Sequence, residues 1–261
     1  MYYEEQGRGY PLVLISGYTA DHSSWAHLVP AFSKKYRTLV ADNRGTGQTI
    51  IPDRPFTIDD MADDLAGLLA AREIEKAHFV GVSMGGRIAQ ALALRHPEKV
   101  KGLVLCSTGA AASPRSKFAL NLLAEEYVKG RITYEFHMAM LQTWTFSERL
   151  YTHPEIVKRM LAGVAAGSRP TPENMLRQLQ SGYNFDTRDR LEEIKAPTLV
   201  LHGTEDIMFP VSYGRELANG IPGAKFVQLE GGAHGVYLEM ADKFVPAVMG
   251  FLAEVDASGH G

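Results

Sequence analysis

Gly81-Val82-Ser83-Met84-Gly85 is the stretch whose reading decides the fold. An apolar run, Ala77-His78-Phe79-Val80, leads into it, and a small-residue run of helical character, Ile88-Ala89-Gln90-Ala91-Leu92, leads out. A G-x-S-x-G pentad between a strand and a helix makes a nucleophile elbow. The backbone doubles back so tightly that glycines must flank the serine, and the hydroxyl is held out at the strand end over a helix N-terminus. A serine hydroxyl alone is a poor nucleophile, so the rest of the chain must supply a base and a group to orient it.

Working outward, short β-like runs alternate with helical patterns on both sides of the pentad. Strands are predicted at Leu12–Ile15, Arg37–Ala41, Ala77–Val82, Val100–Cys106, Thr198–His202 and Lys225–Leu229. Helices are predicted over Trp25–Phe32, Thr57–Ala71 and Gly85–Arg95. In the second of these Ile58, Met61, Leu65, Leu68 and Leu69 share one face, behind a capping box of Thr57 and Asp60. Such alternation implies an α/β fold with a mostly parallel twisted sheet flanked by helices, because each parallel crossover needs a helix. The rhythm breaks between Pro114 and Leu191, where only helical patterns occur: Lys117–Lys129, Ile132–Trp144, Glu155–Ala166 and Glu173–Tyr183. The predicted organisation is therefore a core of residues 1–112 and 192–256, a helical cap over 113–191 inserted after the sixth strand, and a disordered tail at 257–261. The insertion leaves one strand end and returns to the next, so it should lie over the carboxyl ends of the strands. A last helix carries Phe244, Val248, Phe251, Leu252 and Val255, with Pro246 implying a late start or a kink.

The 261 residues are 45% hydrophobic and 22% charged, ordinary values for a soluble globular protein with a sizeable core. A net charge of −3 without a basic run gives no general attraction to nucleic acid. Cys106 is the only cysteine, which excludes an intrachain disulfide and fits a reducing compartment. With neither a signal-peptide pattern nor a membrane-length apolar run, the expectation is a cytoplasmic protein with no membrane partner. No metal-ligand spacing and no dinucleotide-binding glycine pattern occurs, so neither metal nor organic cofactor is implied. A homo-oligomer stays open.

Two segments after the insertion supply the partners of Ser83. His234 follows a predicted strand within Gly231-Gly232-Ala233-His234-Gly235, whose glycines let the loop bend toward the serine. Asp206 follows another within Gly203-Thr204-Glu205-Asp206 and is the expected acid, with Glu205 its direct rival. The order Ser, acid, His is the one this strand–helix arrangement requires. Of the other histidines, His78, His96, His153 and His260 read as surface, helix-end or tail residues and His202 as structural. His137 reads as packed or exposed within the insertion. An oxyanion formed at the serine needs two N–H donors. The amide of Met84 is the expected first donor and that of Tyr18, in the loop Ser16-Gly17-Tyr18-Thr19, the second.

Taken together, Ser16-Gly17-Tyr18, Asp42-Asn43-Arg44-Gly45-Thr46-Gly47, Gly81–Gly86, His202-Gly203-Thr204-Glu205-Asp206 and Gly232-Ala233-His234 make the chain resemble the α/β-hydrolase family over essentially its whole length. The resemblance implies the α/β-hydrolase fold and a serine hydrolase of carboxylic esters or lactones. Asp42 and Arg44 then read as architectural. Ser16 stands where the family usually has histidine, and the N-terminal hairpin looks shortened, to about Met1–Gln6. Within the family, size and cap pattern look like the branch of 3-oxoadipate enol-lactonases and small carboxylesterases. Short pieces also look similar to aminoacrylate hydrolases, and the Ser-Met-Gly-Gly elbow is shared with cofactor-free perhydrolases. Val82 and Gly235-Val236 depart from the meta-cleavage C–C hydrolases. A ligand-binding member of the fold without turnover is the alternative from another class.

The insertion is rich in aromatic and methionine residues, most of them expected in its own core. Trp144 is the leading pocket candidate, with Gly17, Phe209 and Val236 beside the reacting groups and Arg87 as a candidate for a substrate carboxylate. Residues 113–191 hold eleven Lys or Arg against eight Asp or Glu, a local excess of positive charge that fits an anionic small-molecule substrate.

Overall fold

The computed structural model describes residues 1–166 and 169–258. Its strands are β1 (Tyr3–Gln6), β2 (Tyr10–Ile15), β3 (Tyr36–Ala41), β4 (Ala77–Val82), β5 (Val100–Cys106), β6 (Thr198–Gly203) and β7 (Lys225–Leu229). They form one sheet in the order β1-β3-β2-β4-β5-β6-β7. β1 runs antiparallel to β3 and every other pairing is parallel. The helices are α1 (Val29–Phe32), α2 (Ile58–Ala71), α3 (Met84–Arg95), α4 (Pro114–Val128), α5 (Tyr134–Thr145), α6 (Glu148–Tyr151), α7 (Pro154–Ala166), α8 (Pro172–Tyr183), α9 (Val211–Gly220), α10 (Val236–Glu239) and α11 (Ala241–Ala257).

Both faces of the sheet are covered, which is why its central strands read as unbroken apolar runs. Alternate residues of β2 go to opposite cores: Val13 and Ile15 pack with α2 and α3, Leu12 and Leu14 with Trp25, Phe32 and α11. Each fully buried large apolar side chain, Phe79 and Phe244 among them, contributes about 1.5–3 kcal/mol. The capping box of α2 forms as its sequence requires, Thr57 accepting from the Asp60 amide and Asp60 from the Thr57 amide.

The helical insertion, α4 to α8, lies between β5 and β6. It thus follows the fifth strand and not the sixth, because the N-terminal region supplies only β1 before β2. α4 and α8 start earlier than their periodicity suggested, because Pro114 and Pro172 occupy first-turn positions where no amide donor is needed. The helix expected over Trp25–Phe32 is instead a 3₁₀ turn, His22–Trp25, followed by the short α1. α11 neither starts after Pro246 nor ends before 257: it begins at Ala241 and runs to Ala257, where Ser258 caps it. Residues 259–261 of the expected tail lie outside the described residues. His78 is fully buried, with its Nε2 3.1 Å from Asp256 Oδ1, because β4 is covered on both faces. No helix among the described residues is long and apolar enough to cross a membrane.

Candidate active site

Ser83 joins β4 to α3 with φ 56° and ψ −118°, a conformation that L-residues rarely hold. The flanking glycines are required by contact. A Cβ on Gly81 would lie 2.3 Å from the Gly85 carbonyl oxygen, and one on Gly85 2.2 Å from that of Ile15. The strained residue is pinned on both sides, its amide donating to the Cys106 carbonyl at 2.9 Å and its carbonyl accepting from Thr108 Oγ1 at 2.7 Å.

The loops after β6 and β7 bring the next two side chains together. His234 Nδ1 lies 2.9 Å from Asp206 Oδ2, and both residues are buried. Asp206 Oδ1 accepts the amides of Met208 at 2.9 Å and Phe209 at 2.8 Å, so the carboxylate is fixed on its own turn. Glu205, the rival acid, is exposed on the outer side of that turn. His202, also buried, bonds through Nε2 to the Phe209 carbonyl at 2.7 Å. Burial pushes His202 below its ordinary pKa, so it faces Asp206 as a neutral ring and leaves the carboxylate to His234. The Phe209 ring stacks on the His234 imidazole with centroids 5.9 Å apart.

Ser83 and His234 line one cavity of about 220 Å³ beneath the insertion. Among the described residues neither the Ser83 hydroxyl nor His234 Nε2 has a hydrogen-bond partner. Gly17 lies against the serine: a Cβ there would be 3.3 Å from Ser83 Cβ and 3.8 Å from its Oγ. The amides of Tyr18 and Met84 have no acceptor among the described residues. Met84 is the first residue of α3, where no intrahelical acceptor exists.

The loop that carries Tyr18 is held by a residue that sequence reasoning missed. Thr19 has φ 62°, and its amide donates to Gln178 Oε1 at 2.9 Å. Gln178, fully buried on α8, donates in turn from Nε2 to the Arg44 carbonyl at 2.7 Å. Arg44 itself pairs with Asp64, and Asp42 accepts the amides of His22 and Gln48, both at 2.8 Å. The loop bearing His234 is also tied to the insertion. The Gly235 amide donates to the Thr145 carbonyl at 2.6 Å. Glu239 takes the Ala233 amide on one oxygen and the amide and hydroxyl of Ser147 on the other. A glutamine or glutamate on a helix carries no local signal for such a role.

Of the expected pocket residues, Gly17, Arg87 and Phe209 line the cavity. Trp144 does not: it lines a neighbouring groove with Tyr151, Glu205 and Ile207, because α5 turns Leu141 and Thr145 toward the cavity instead. Val236 does not either. It is fully buried in the sheet core, where a Cβ on Gly232 would meet it at 2.5 Å, and the next residue, Tyr237, takes the lining position. Arg87 is buried rather than on the helix surface. His137 is fully buried in the insertion beside Tyr18, ring centroids 6.5 Å apart. Among the described residues no cluster of His, Cys, Asp or Glu could hold a metal ion.

Comparison with known proteins extends this geometry. Residues 10–241 match the family model described as alpha/beta hydrolase fold. The chain is 29% identical to a putative carbamate hydrolase RutD of Azorhizobium caulinodans over 98% of its length and 96% of the relative's. The crystal structure of a putative non-heme bromoperoxidase BpoC from Mycobacterium tuberculosis superposes with a TM-score of 0.88 at 29% identity, covering 97% of this chain and 96% of that one. An enol-lactonase from Burkholderia xenovorans LB400 does so with a TM-score of 0.85 at 30% identity, over 97% and 96% of the two chains. Fold, matched length and identity agree that the chain belongs to the α/β-hydrolase fold family.

Proposed function

We propose that the protein is a serine hydrolase that cleaves a small carboxylic ester or lactone through an acyl-enzyme. Core residues 1–112 and 192–256 supply the reacting groups, and residues 113–191 act as the cap. The observation that carries the reading is the buried Asp206–His234 pair, whose histidine lines the same cavity as Ser83 at its elbow. Ser83 Oγ attacks the carbonyl carbon while His234 Nε2 takes its proton. Asp206, bonded to Nδ1, keeps that tautomer and stabilises the imidazolium. The amides of Tyr18 and Met84 donate to the oxyanion. The imidazolium returns the proton to the leaving oxygen, and a water then attacks the acyl-enzyme by the same route. In a lactone the leaving oxygen stays attached, and the product is a hydroxy acid.

The relatives support this chemistry to different depths, since their names cover lactone and carbamate hydrolysis and a bromoperoxidase activity. The test is hydrolysis of p-nitrophenyl acetate and a lactone panel by the wild type and Ser83→Ala, with mass spectrometry after a fluorophosphonate. Turnover lost in the variant, and an adduct on Ser83 alone, is the expected result. Ligand binding without any turnover by the wild type overturns it in favour of a non-catalytic member of the fold.

A further inference from the structure

One end of the cavity carries positive charge with no acidic partner among the described residues. Arg87 lies one helical turn beyond Ser83 on α3, only 6% exposed, and lines the same cavity. A guanidinium has five N–H donors. Here they meet two carbonyls, that of Gly182 at 2.9 Å and, at a long 3.5 Å, that of Ala111, and Nε has no acceptor. The group stacks over the Phe209 ring, 4.9 Å from its centroid, and forms no ion pair among the described residues. Lys117, exposed at the rim, lies over the Tyr183 ring at 5.3 Å and likewise has no acidic partner among the described residues. The cavity lining includes both cations and no carboxylate.

A cation taken out of water without a counter-charge is costly to the fold, and such groups are normally paired. Arginine's planar fork matches carboxylate and phosphate bidentately, and of the two the planar carboxylate is the smaller. Burial holds Arg87 below its ordinary value, at about 10, which leaves it charged at neutral pH. Ser83 caps α3 and Arg87 lies in its first turn, and both line the same cavity, so a carbonyl at the serine and an anion at the arginine can belong to one small molecule.

Resting on the acyl-transfer reading above, we propose that the substrate carries a free carboxylate a few bonds from the scissile carbonyl, held by Arg87 with Lys117 at the entrance. The class is a half-ester or carboxylated lactone rather than a neutral ester. A cavity of about 220 Å³, below the roughly 300–1,000 Å³ of drug-sized sites, suits so compact an acid.

Monomethyl glutarate and methyl pentanoate share an acyl chain length and differ in the terminal carboxylate. Proton release at neutral pH should show a higher kcat/KM for monomethyl glutarate, and 0.5 M NaCl should narrow the difference. Arg87→Gln should lower the ratio of the two kcat/KM values by about 10- to 150-fold, mainly through KM, and Lys117→Gln by less. Circular dichroism reports whether Arg87→Gln folds. If it does not, inhibition of wild-type p-nitrophenyl acetate hydrolysis decides, glutarate being required to inhibit more strongly than glutaramide. A preference for the neutral ester, equal inhibition by acid and amide, or a ratio that survives Arg87→Gln overturns the proposal. Turnover that survives Ser83→Ala overturns the acyl-transfer reading instead, so the two failures are distinguishable.

Discussion

Gln178→Ala tests whether the insertion positions the oxyanion loop. Gln178 is fully buried and makes two bonds, accepting from the Thr19 amide at 2.9 Å and donating to the Arg44 carbonyl at 2.7 Å. Truncation leaves both backbone groups without partners. A buried group left unpaired costs about 1–3 kcal/mol, and water from the adjoining cavity recovers part of it, so the expected loss of stability is about 2–4 kcal/mol. The catalytic effect arises one residue earlier. Thr19 holds a positive φ that costs about 1–3 kcal/mol, and the Gln178 bond is what restrains its amide. Once released, the residue relaxes and swings the Tyr18 amide off the proposed oxyanion position. Complete loss of one such donor costs about 10²–10³ in kcat, so partial displacement is expected to cost about 10- to 100-fold. The loss falls on kcat with little change in KM. Gln178→Glu keeps an acceptor for Thr19 but sets a carboxyl oxygen against the Arg44 carbonyl, so it should recover the rate only in part. Urea melts measure the stability change, and saturation kinetics on p-nitrophenyl acetate measure kcat. A cooperatively folded Gln178→Ala enzyme with kcat within about twofold of wild type refutes the reasoning.

Asp206→Asn should keep the fold and lower kcat about 10⁴-fold, because asparagine can hold the imidazole in the wrong tautomer, whereas Glu205→Gln, on the exposed side of the same turn, should leave the rate within about twofold. Stability should fall on acidification. Burial holds His78 low, and in Asp256 burial acts upward but is outweighed by the bonds from Lys101 and His78. Each group is therefore less protonated folded than unfolded. Stability is complete at higher pH, declines as pH falls below about 6.5, the unfolded value of histidine, and declines again through the carboxylate range. Urea midpoints between pH 8 and pH 4 check this, and the first step should shrink in His78→Gln, with buried His137 and His202, also held low by burial, supplying the remainder. Burial pushes the Cys106 thiol up to about 12, so iodoacetamide at pH 8 should label native protein at least about 100-fold more slowly than protein in urea.

The sheet was legible because its strands are buried on both faces and so read as continuous apolar runs, and the elbow because only glycine fits where Gly81 and Gly85 meet neighbouring backbone. The pairing of Asp206 with His234 was legible because each lies in the short loop after a strand end. Orientation was not. Trp144 was chosen as an aromatic of the insertion and Val236 for its nearness in sequence to His234, and the helices that carry them turn those side chains to the outer groove and the core. His78 has the composition of a surface residue and the position of a core one, its partner Asp256 arriving from 178 residues away. The Gln178 contact with Thr19 spans 159 residues and leaves no trace in either local pattern. The late start that Pro246 suggested does not occur, because a single missing amide in the second turn of α11 is outweighed by the burial of Phe244, Val248 and Leu252.

The bonds from Gly235 to Thr145 and from Glu239 to Ser147 have a consequence for how this protein can change. Thr145 closes the helix whose side chains shape the cavity roof, so whatever re-seats that helix to admit a bulkier guest also tugs the imidazole loop. Selectivity and reactivity are then inherited together. Broadening the guest range through α5 should tax turnover unless a compensating change re-anchors residue 235.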